Sequence, residues 1–414
     1  MSQSDWDIVV VGGGAAGYFA AITIAEQASG SPRILVAEGS RKVLEKVRIS
    51  GGGRCNVTHD CRDARDLSKN YPRGERALIG PFHRWAVDQT IDWFESRGIS
   101  LKVERDGRMF PDTDDSQTII DLLIAAADEL GIQVETSLPI GSIKPIDSGF
   151  RLDLDIDRDP ITTTHVVLAM GGTRAGSVGR MLDELDIATE PPVPSLFTFK
   201  IDDPELKELA GVSVTSAKCR IAGLKQFETI GPVLITHWGL SGPGVLKLSA
   251  LAARELAERD YEFEVLIDWL PSHGDPVETL ERSRTEVGRR KISAENPFPE
   301  LPKRLWQLIV NRSGIDTEQV WARLRKSERN ALADSLRGAI FPVLGKSMNK
   351  EEFVTCGGIR LPELDMKTME HRRIPGLYAV GEILDIDGVT GGFNFQNAWT
   401  TGHQAGVAIA DRIG

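Results

Sequence analysis

The chain has 414 residues, 41% of them hydrophobic and 26% charged, with a formal net charge of −11; this is the profile of a soluble globular protein of two or three domains. The acidic balance argues against nucleic acid or an anionic membrane as a main partner, and no run approaches the ~18 consecutive apolar residues of a membrane span. Residues 1–7 lead directly into a strand pattern instead of a secretory signal, while 4 cysteines without a C-x-x-C pair and 7 histidines without metal-ligand spacing point to reduced thiols in the cytoplasm and to no metal site.

The first predicted element carries the most information. An apolar run, Ile8 to Val11, meets the turn Gly12-Gly13-Gly14-Ala15-Ala16-Gly17, and a small-residue helix pattern follows to Glu26. A second apolar run, Ile34 to Ala37, ends in an acid, Glu38. In a strand–turn–helix of this kind Gly12 allows the tight turn, Gly14 lets a pyrophosphate approach the backbone, and Gly17 lets the helix pack on the strand. The helix N-terminus at Ala15 and Ala16 offers unpaired N–H groups to phosphate, and an acid ~20 residues on is placed for ribose hydroxyls. The pattern predicts a dinucleotide site and leaves open which dinucleotide binds.

Residues 39–61 read as a Gly- and Arg-rich loop containing Ser50-Gly-Gly-Gly-Arg54-Cys55-Asn56. Helices are predicted over 84–98, with Trp85, Ile91, Trp93 and Phe94 inward, and over 116–130, closed by Gly131. Strands follow at 132–135, 149–156 and 165–169, the last closing on Gly171-Gly172. The composition changes at Pro191-Pro192-Val193-Pro194, after which alternating stretches at 197–201, 212–221, 226–236 and 261–269 predict an antiparallel sheet or small barrel. Charged amphipathic helices occupy 276–338, with Leu305, Leu308, Ile309, Val320, Leu324 and Leu332 as candidate core. Strands at 351–359 and 374–381 and a helix over 396–412 complete the chain. The expected fold is α/β: a Rossmann-type domain from residues 1–194 and 351–414, an inserted antiparallel β-barrel-like domain from 195–275 and 339–350, and a nested helical insertion at 276–338.

Near the C-terminus a strand reaches Gly381-Glu382, and Gly391-Gly392-Phe393-Asn394-Phe395-Gln396-Asn397 opens a long helix. A helix N-terminus here suits a flavin, whose ring gains negative charge at its N1/O2 side on reduction. Glu382 is placed for a ribityl or ribose hydroxyl, or caps the loop; Asn394, Gln396 and Asn397 serve either the ligand or the local turn. Taken with Ser50–Asn56, Thr236-His237-Trp238-Gly239-Leu240-Ser241-Gly242-Pro243-Gly244 and Thr355-Cys356-Gly357-Gly358, these motifs occur in the order seen in the HI0933-like flavoproteins, which the chain resembles over nearly its whole length. The resemblance implies non-covalent FAD held by Gly12, Gly14, Ala15, Ala16, Gly17, Glu38, Gly171, Gly381, Glu382, Gly392, Phe393 and Asn394, with Arg54, Cys55 and Asn56 nearby. It implies an FAD-dependent oxidoreductase acting on a small molecule, read as a reductase of an activated double bond fed by NAD(P)H or as an oxidase of an amine or amino ketone; a flavin-binding redox sensor or RNA-associated protein without turnover is the alternative from a different class. The first is the leading expectation.

Two departures stand out. Leu44 occupies a position where the family usually has Gly, and the loop after Gly171-Gly172 is shorter than usual. Arg54 is either an anion contact or a salt-bridge partner. Cys55 is either a redox thiol or, the favoured reading, an inert buried one. His237 is either a proton donor or bonded into its turn. The expected catalytic set is His237, Arg54 and Asn394, with His237, Trp238 and Thr355–Gly358 covering the substrate side. No second G-x-G-x-x-G lies between 140 and 375, so a separate NAD domain is not expected. The oligomeric state is open.

Overall fold

The computed structural model describes residues 5–173, 176–347 and 354–414. Two compact units emerge: Met1–Pro194 with Lys350–Gly414, and Ser195–Asn349.

The first unit is built on five parallel strands in the spatial order Gln133–Glu135, Ile34–Ala37, Trp6–Val11, Ile161–Leu168, Leu377–Ala379. Numbered along the chain this is the 3-2-1-4-5 order of a doubly wound sheet, in which the strand sequence reverses between the first and fourth strands. Val10 pairs with Val36 on one side and Val167 on the other. The stretches Ile8–Val11 and Ile34–Ala37 read as unbroken apolar runs because both faces are covered; Ile8, Val9 and Val10 are fully buried. The strand Ile161–Leu168 forks. Its first half pairs with the hairpin strand Gly149–Leu154 and its last three residues pair with Leu377–Ala379.

The helix Ala15–Gln27 is buried at nine successive positions, Ala16 to Ile24, so it is apolar all round and lies inside the unit. Its outer partner is the C-terminal helix Phe393–Ile413, which begins three residues before the predicted start because Gly392, at φ 92°, serves as its N-cap. The segment predicted as a loop over 39–61 contains a helix, Glu45–Gly53, whose geometry breaks at Ser50, Gly51 and Gly52. The glycine run ends the helix; the Glu45–Ile49 stretch before it is what folds. The predicted helices near 84 and 116 are Val87–Glu95 and Ser116–Glu129. Residues 351–353 of the predicted strand at 351–359 lie outside the described residues; the remainder is Val354–Ile359. It pairs with Thr189–Ser195, the proline-rich segment at the unit boundary.

The second unit holds a seven-stranded sheet with the order Ala339–Leu344, Glu262–Asp268, Ser213–Ile221, Leu224–Thr236, Gly239–Ser241, Thr198–Lys200, Lys346–Ser347. Helices Pro276–Glu286, Lys303–Arg312 and Lys326–Arg337 come between the strands Glu262–Asp268 and Ala339–Leu344 in the chain. Leu305, Leu308, Ile309, Leu324 and Leu332 are buried as expected, Val320 is only half-buried, and Trp306 and Trp321 are fully buried additions.

Candidate active site

Every fingerprint glycine meets a different constraint. Gly12 has φ 112°, and a Cβ there would stand 2.4 Å from the Ala169 carbonyl oxygen. A Cβ on Gly17 would stand 2.0 Å from the Gly12 carbonyl oxygen. Gly14, the N-cap of the helix, has nothing within 4 Å of its notional Cβ. Two glycines are thus closed by protein, and the third faces open space at a helix N-terminus whose first turn carries no acid. That is the arrangement an anionic ligand needs.

Glu38 spans the same turn. Its two carboxylate oxygens accept from the Gly13 N–H (2.7 Å) and the Ser40 N–H (2.8 Å), which orients the carboxylate and leaves lone pairs for hydroxyls. Leu44 donates its N–H to the Gly13 carbonyl (2.9 Å) from a left-handed conformation, φ 59°. This anchors the helix Glu45–Gly53 on the fingerprint and places Lys46 so that its ammonium pairs with Glu382. Glu382 also accepts the Thr355 N–H at 3.0 Å. Sequence reasoning singled out Glu382 and passed over Lys46, since nothing local to residue 46 signals a partner 336 residues away.

Glu382 follows Gly381 at the end of the strand Leu377–Ala379, and Gly171, at φ 79°, lies beyond the end of Ile161–Leu168. The fingerprint, Glu38, Gly171 and Glu382 therefore sit at the carboxyl ends of four of the parallel strands, where such folds bind ligands. Two buried polar atoms in the neighbouring segments, Asn397 Oδ1 and Thr173 Oγ1, have no hydrogen-bond partner. Buried polar groups are normally satisfied, so both atoms, with the open face of Gly14, fit the phosphates and hydroxyls of a dinucleotide.

The C-terminal helix opens beside this crevice. Gly391 and Gly392 have φ 137° and 92°, and a Cβ on Gly392 would stand 2.5 Å from the Thr58 carbonyl oxygen. The Asn56 amide, oriented to satisfy its neighbours, accepts the Gly392 N–H at 2.9 Å. Asn394 commits both ends of its amide to Gly388, accepting its N–H (2.8 Å) and donating to its carbonyl (3.0 Å); it closes the loop. Gln396 is fully buried and bonds Thr58, Thr90 and Thr400. Phe393 stacks on His59 with ring centroids 4.7 Å apart.

The remaining expected residues fall as follows. Arg54 pairs with Glu104 (2.7 Å) and Asp114 (3.4 Å) and lies over the Phe110 ring, so its charge is met within the protein. Cys55 is fully buried, and burial pushes its thiol up to about 12, which removes the thiolate a redox role requires. Thr355–Gly358 belong to the first unit, whereas His237 and Trp238 are exposed on the turn between Leu224–Thr236 and Gly239–Ser241 of the second. Among the described residues no helix is long and apolar enough to cross a membrane.

The HI0933-like protein Rossmann domain matches residues 6–408. A relative from Clostridium scindens named 3-dehydro-bile acid delta(4,6)-reductase is 27% identical, over 98% of this chain and 99% of its own. One from Escherichia coli named ribosomal RNA dihydrouridine synthase is 29% identical over 96% of each. The second name qualifies the expectation drawn from net charge: a whole-chain sum does not exclude an RNA substrate. Among solved structures, the 3-ketosteroid-delta4-(5alpha)-dehydrogenase of Rhodococcus jostii RHA1 shares the fold, with TM-score 0.52 at 15% identity over 99% of this chain and 98% of that one.

Proposed function

Because the chain belongs to the HI0933-like family, we propose that it is an FAD-dependent oxidoreductase that saturates a carbon–carbon double bond conjugated to a carbonyl. The observation that carries this reading is the crevice at the strand ends, where an open helix N-terminus at Gly14 and the unpartnered Asn397 Oδ1 and Thr173 Oγ1 await a polar ligand. The adenosine diphosphate half would lie on Gly12–Gly17, with its ribose on Glu38. Gly171, Gly381, Glu382 and Asn397 would take the ribityl side, and the helix N-terminus at Gly392–Asn394 would face the ring. When bound, FAD supplies the hydride chemistry.

The chain's own residues orient the group and stabilise charge. The first N–H groups of Phe393–Ile413 have no intrahelical partners, and its first turn carries no acid. They are therefore directed at whatever negative charge develops beside them. Lys46 adds a cation on the Glu382 side. His237, exposed on its turn, is proposed as the donor of the proton that saturation requires at the carbon next to the carbonyl. NAD(P)H is proposed as a transient electron donor, with no domain of its own.

The substrate class is argued from chemistry. The delta(4,6) pair of double bonds beside a 3-oxo group and the C5=C6 bond of uracil beside its C4 carbonyl share one feature, a carbon–carbon double bond conjugated to a carbonyl. We favour a small conjugated ketone, in line with the net charge of −11. A uracil in RNA is the second reading, favoured by the excess of Lys and Arg over Asp and Glu in residues 276–338. The test is anaerobic. Purified protein should show a flavin spectrum that NADH or NADPH bleaches, and a steroid enone or a uracil-containing RNA should restore the colour. Bleaching by amines alone, with recovery only in air, would replace the reductase with an oxidase; a colourless protein that takes up no added FAD would end both.

A further inference from the structure

The C-terminal helix is preceded by a loop, residues 384–392, made of bends and two isolated backbone bridges, Leu384 with Ile359 and Asp387 with Arg73. The start of the loop is tied to Ile359, whose carbonyl accepts the Asp385 N–H at 3.0 Å, and from Ile386 to Phe393 the chain is also tied to a distant segment, Asn70–Gly74, at four points. The Asn70 carbonyl accepts the Val389 N–H at 2.9 Å. The Tyr71 hydroxyl donates to the Phe393 carbonyl at 2.6 Å, inside the first turn of the helix. The Arg73 guanidinium grips both carboxylate oxygens of Asp387, and the two residues also form an isolated backbone bridge. Gly74, at φ 95°, packs so closely that a Cβ would lie 2.7 Å from Ile386 Cγ1.

These ties lie inside the unit, since none of residues 384–392 is exposed. Asp387 and Tyr71 are fully buried, and the Arg73 side chain is 13% exposed. A buried ion pair of this kind recovers little more than its desolvation cost. Its two-pronged geometry, however, fixes one position and one orientation. The gripping segment is itself held firmly: Gly74 caps the helix Glu75–Phe82, and the Tyr71 and Phe82 rings pack 5.4 Å apart. Stiffness is thus concentrated at the loop that aims the helix N-terminus, where a shift of a fraction of an ångström changes the field that N-terminus projects.

We propose that Asn70–Gly74 is a strut that fixes the N-terminus of helix Phe393–Ile413 against the flavin ring, making Tyr71 and Arg73 positioning residues that set the reduction potential of the cofactor. This rests on the FAD reading above. Unpaired N–H groups held toward the ring favour the negative charge that the ring gains on reduction. Loosening the strut weakens that preference without altering any residue that touches the cofactor.

The test is the midpoint potential of bound FAD, measured by dye-equilibrated reductive titration in wild type, Tyr71→Phe and Arg73→Lys. Neither substitution changes the charge of the protein. Tyr71→Phe removes one hydroxyl, and Arg73→Lys keeps the cation but loses the fork. The expected result is a three- to tenfold weaker preference for the reduced form, tenfold being roughly 30 mV more negative for a two-electron couple. A variant that only loses thermal stability, keeps its flavin and shows an unchanged potential overturns the strut. Should Arg73→Lys fail to fold, Tyr71→Phe decides. A wild-type protein that binds no FAD removes the functional reading instead, and its absorption spectrum shows that separately.

Discussion

The crossing of helices Ala15–Gln27 and Phe393–Ile413 offers a quantitative check on the fold, because both helices present their N-termini to the proposed cofactor. Gly406 and Gly402 are the contact points. A Cβ on Gly406 would stand 2.5 Å from Thr23 Cβ and 3.1 Å from the Ala20 carbonyl oxygen, and one on Gly402 would stand 2.9 Å from the Ala16 carbonyl oxygen. Carbon atoms settle at roughly 3.5–4.0 Å, so Gly406→Ala must push the helices apart by about 1 Å. Overpacking of this kind costs about 1–3 kcal/mol, while the gain in helix propensity returns about 1 kcal/mol. The net expectation is a loss of about 0–2 kcal/mol, or a melting temperature lower by up to about 8 °C for a unit of this size. The control is Gly179→Ala in helix Gly176–Glu184, where nothing lies within 4 Å of the added methyl; there the propensity term stands alone and stability should rise. Thermal unfolding followed by circular dichroism measures both. Equal shifts of the same sign would refute the close crossing.

Gly14→Val should cost flavin-free protein only the weaker helix cap, about 0.5–1 kcal/mol, because its Cβ meets no protein atom, yet abolish FAD retention, read as the ratio of flavin to protein absorbance. His403, half-buried and stacked on Trp85 at 3.9 Å, is held by desolvation at about 4, below its ordinary 6.5. The unfolded chain therefore takes up this proton first as the pH falls. Its contribution is fully present above pH 6.5 and drains by about 1.4 kcal/mol per pH unit down to pH 4. Urea midpoints across that range should flatten in His403→Gln; an unchanged slope would show that the histidine titrates normally. Iodoacetamide at pH 8 should label Cys61 in the native protein well before Cys55 or Cys219, whose thiols burial pushes up to about 12. Peptide mapping that finds Cys55 labelled first would restore it as a redox candidate.

Which parts were legible in the sequence follows from how far apart the interacting residues lie. The fingerprint could be read because its glycines fall at fixed short spacings in one strand–turn–helix, even though Gly12 is closed by the distant Ala169 carbonyl, and the central strands because burial on both faces leaves an unbroken apolar run. The helix Glu45–Gly53 was missed because three successive glycines mask the turn before them. Lys46 with Glu382, Tyr71 with Phe393 and Arg73 with Asp387 escaped for a different reason. Each pair joins the two ends of the chain across more than 300 residues, and a lone Lys, Tyr or Arg has no local pattern to betray its partner. Arg54 shows the same limit over a shorter span, its charge being met by Glu104, 50 residues on.

Leu44 shows how a departure from a family pattern can be absorbed. A left-handed conformation costs a residue with a Cβ about 1–2 kcal/mol, and Gly is the usual way to avoid it. Leu44 accepts that conformation at φ 59°, but its side chain is 2% exposed and belongs to the core that contains Phe19, Val47 and Trp399. Burying a leucine is worth about 1.5–3 kcal/mol, enough to offset the strain. The backbone bond from Leu44 to the Gly13 carbonyl is therefore kept by packing where a glycine would keep it by conformational freedom. Lys46, two residues further on, stays aimed at the crevice for the same reason: the register of its helix is set by the buried Leu44 side chain and the Leu44 bond to the fingerprint.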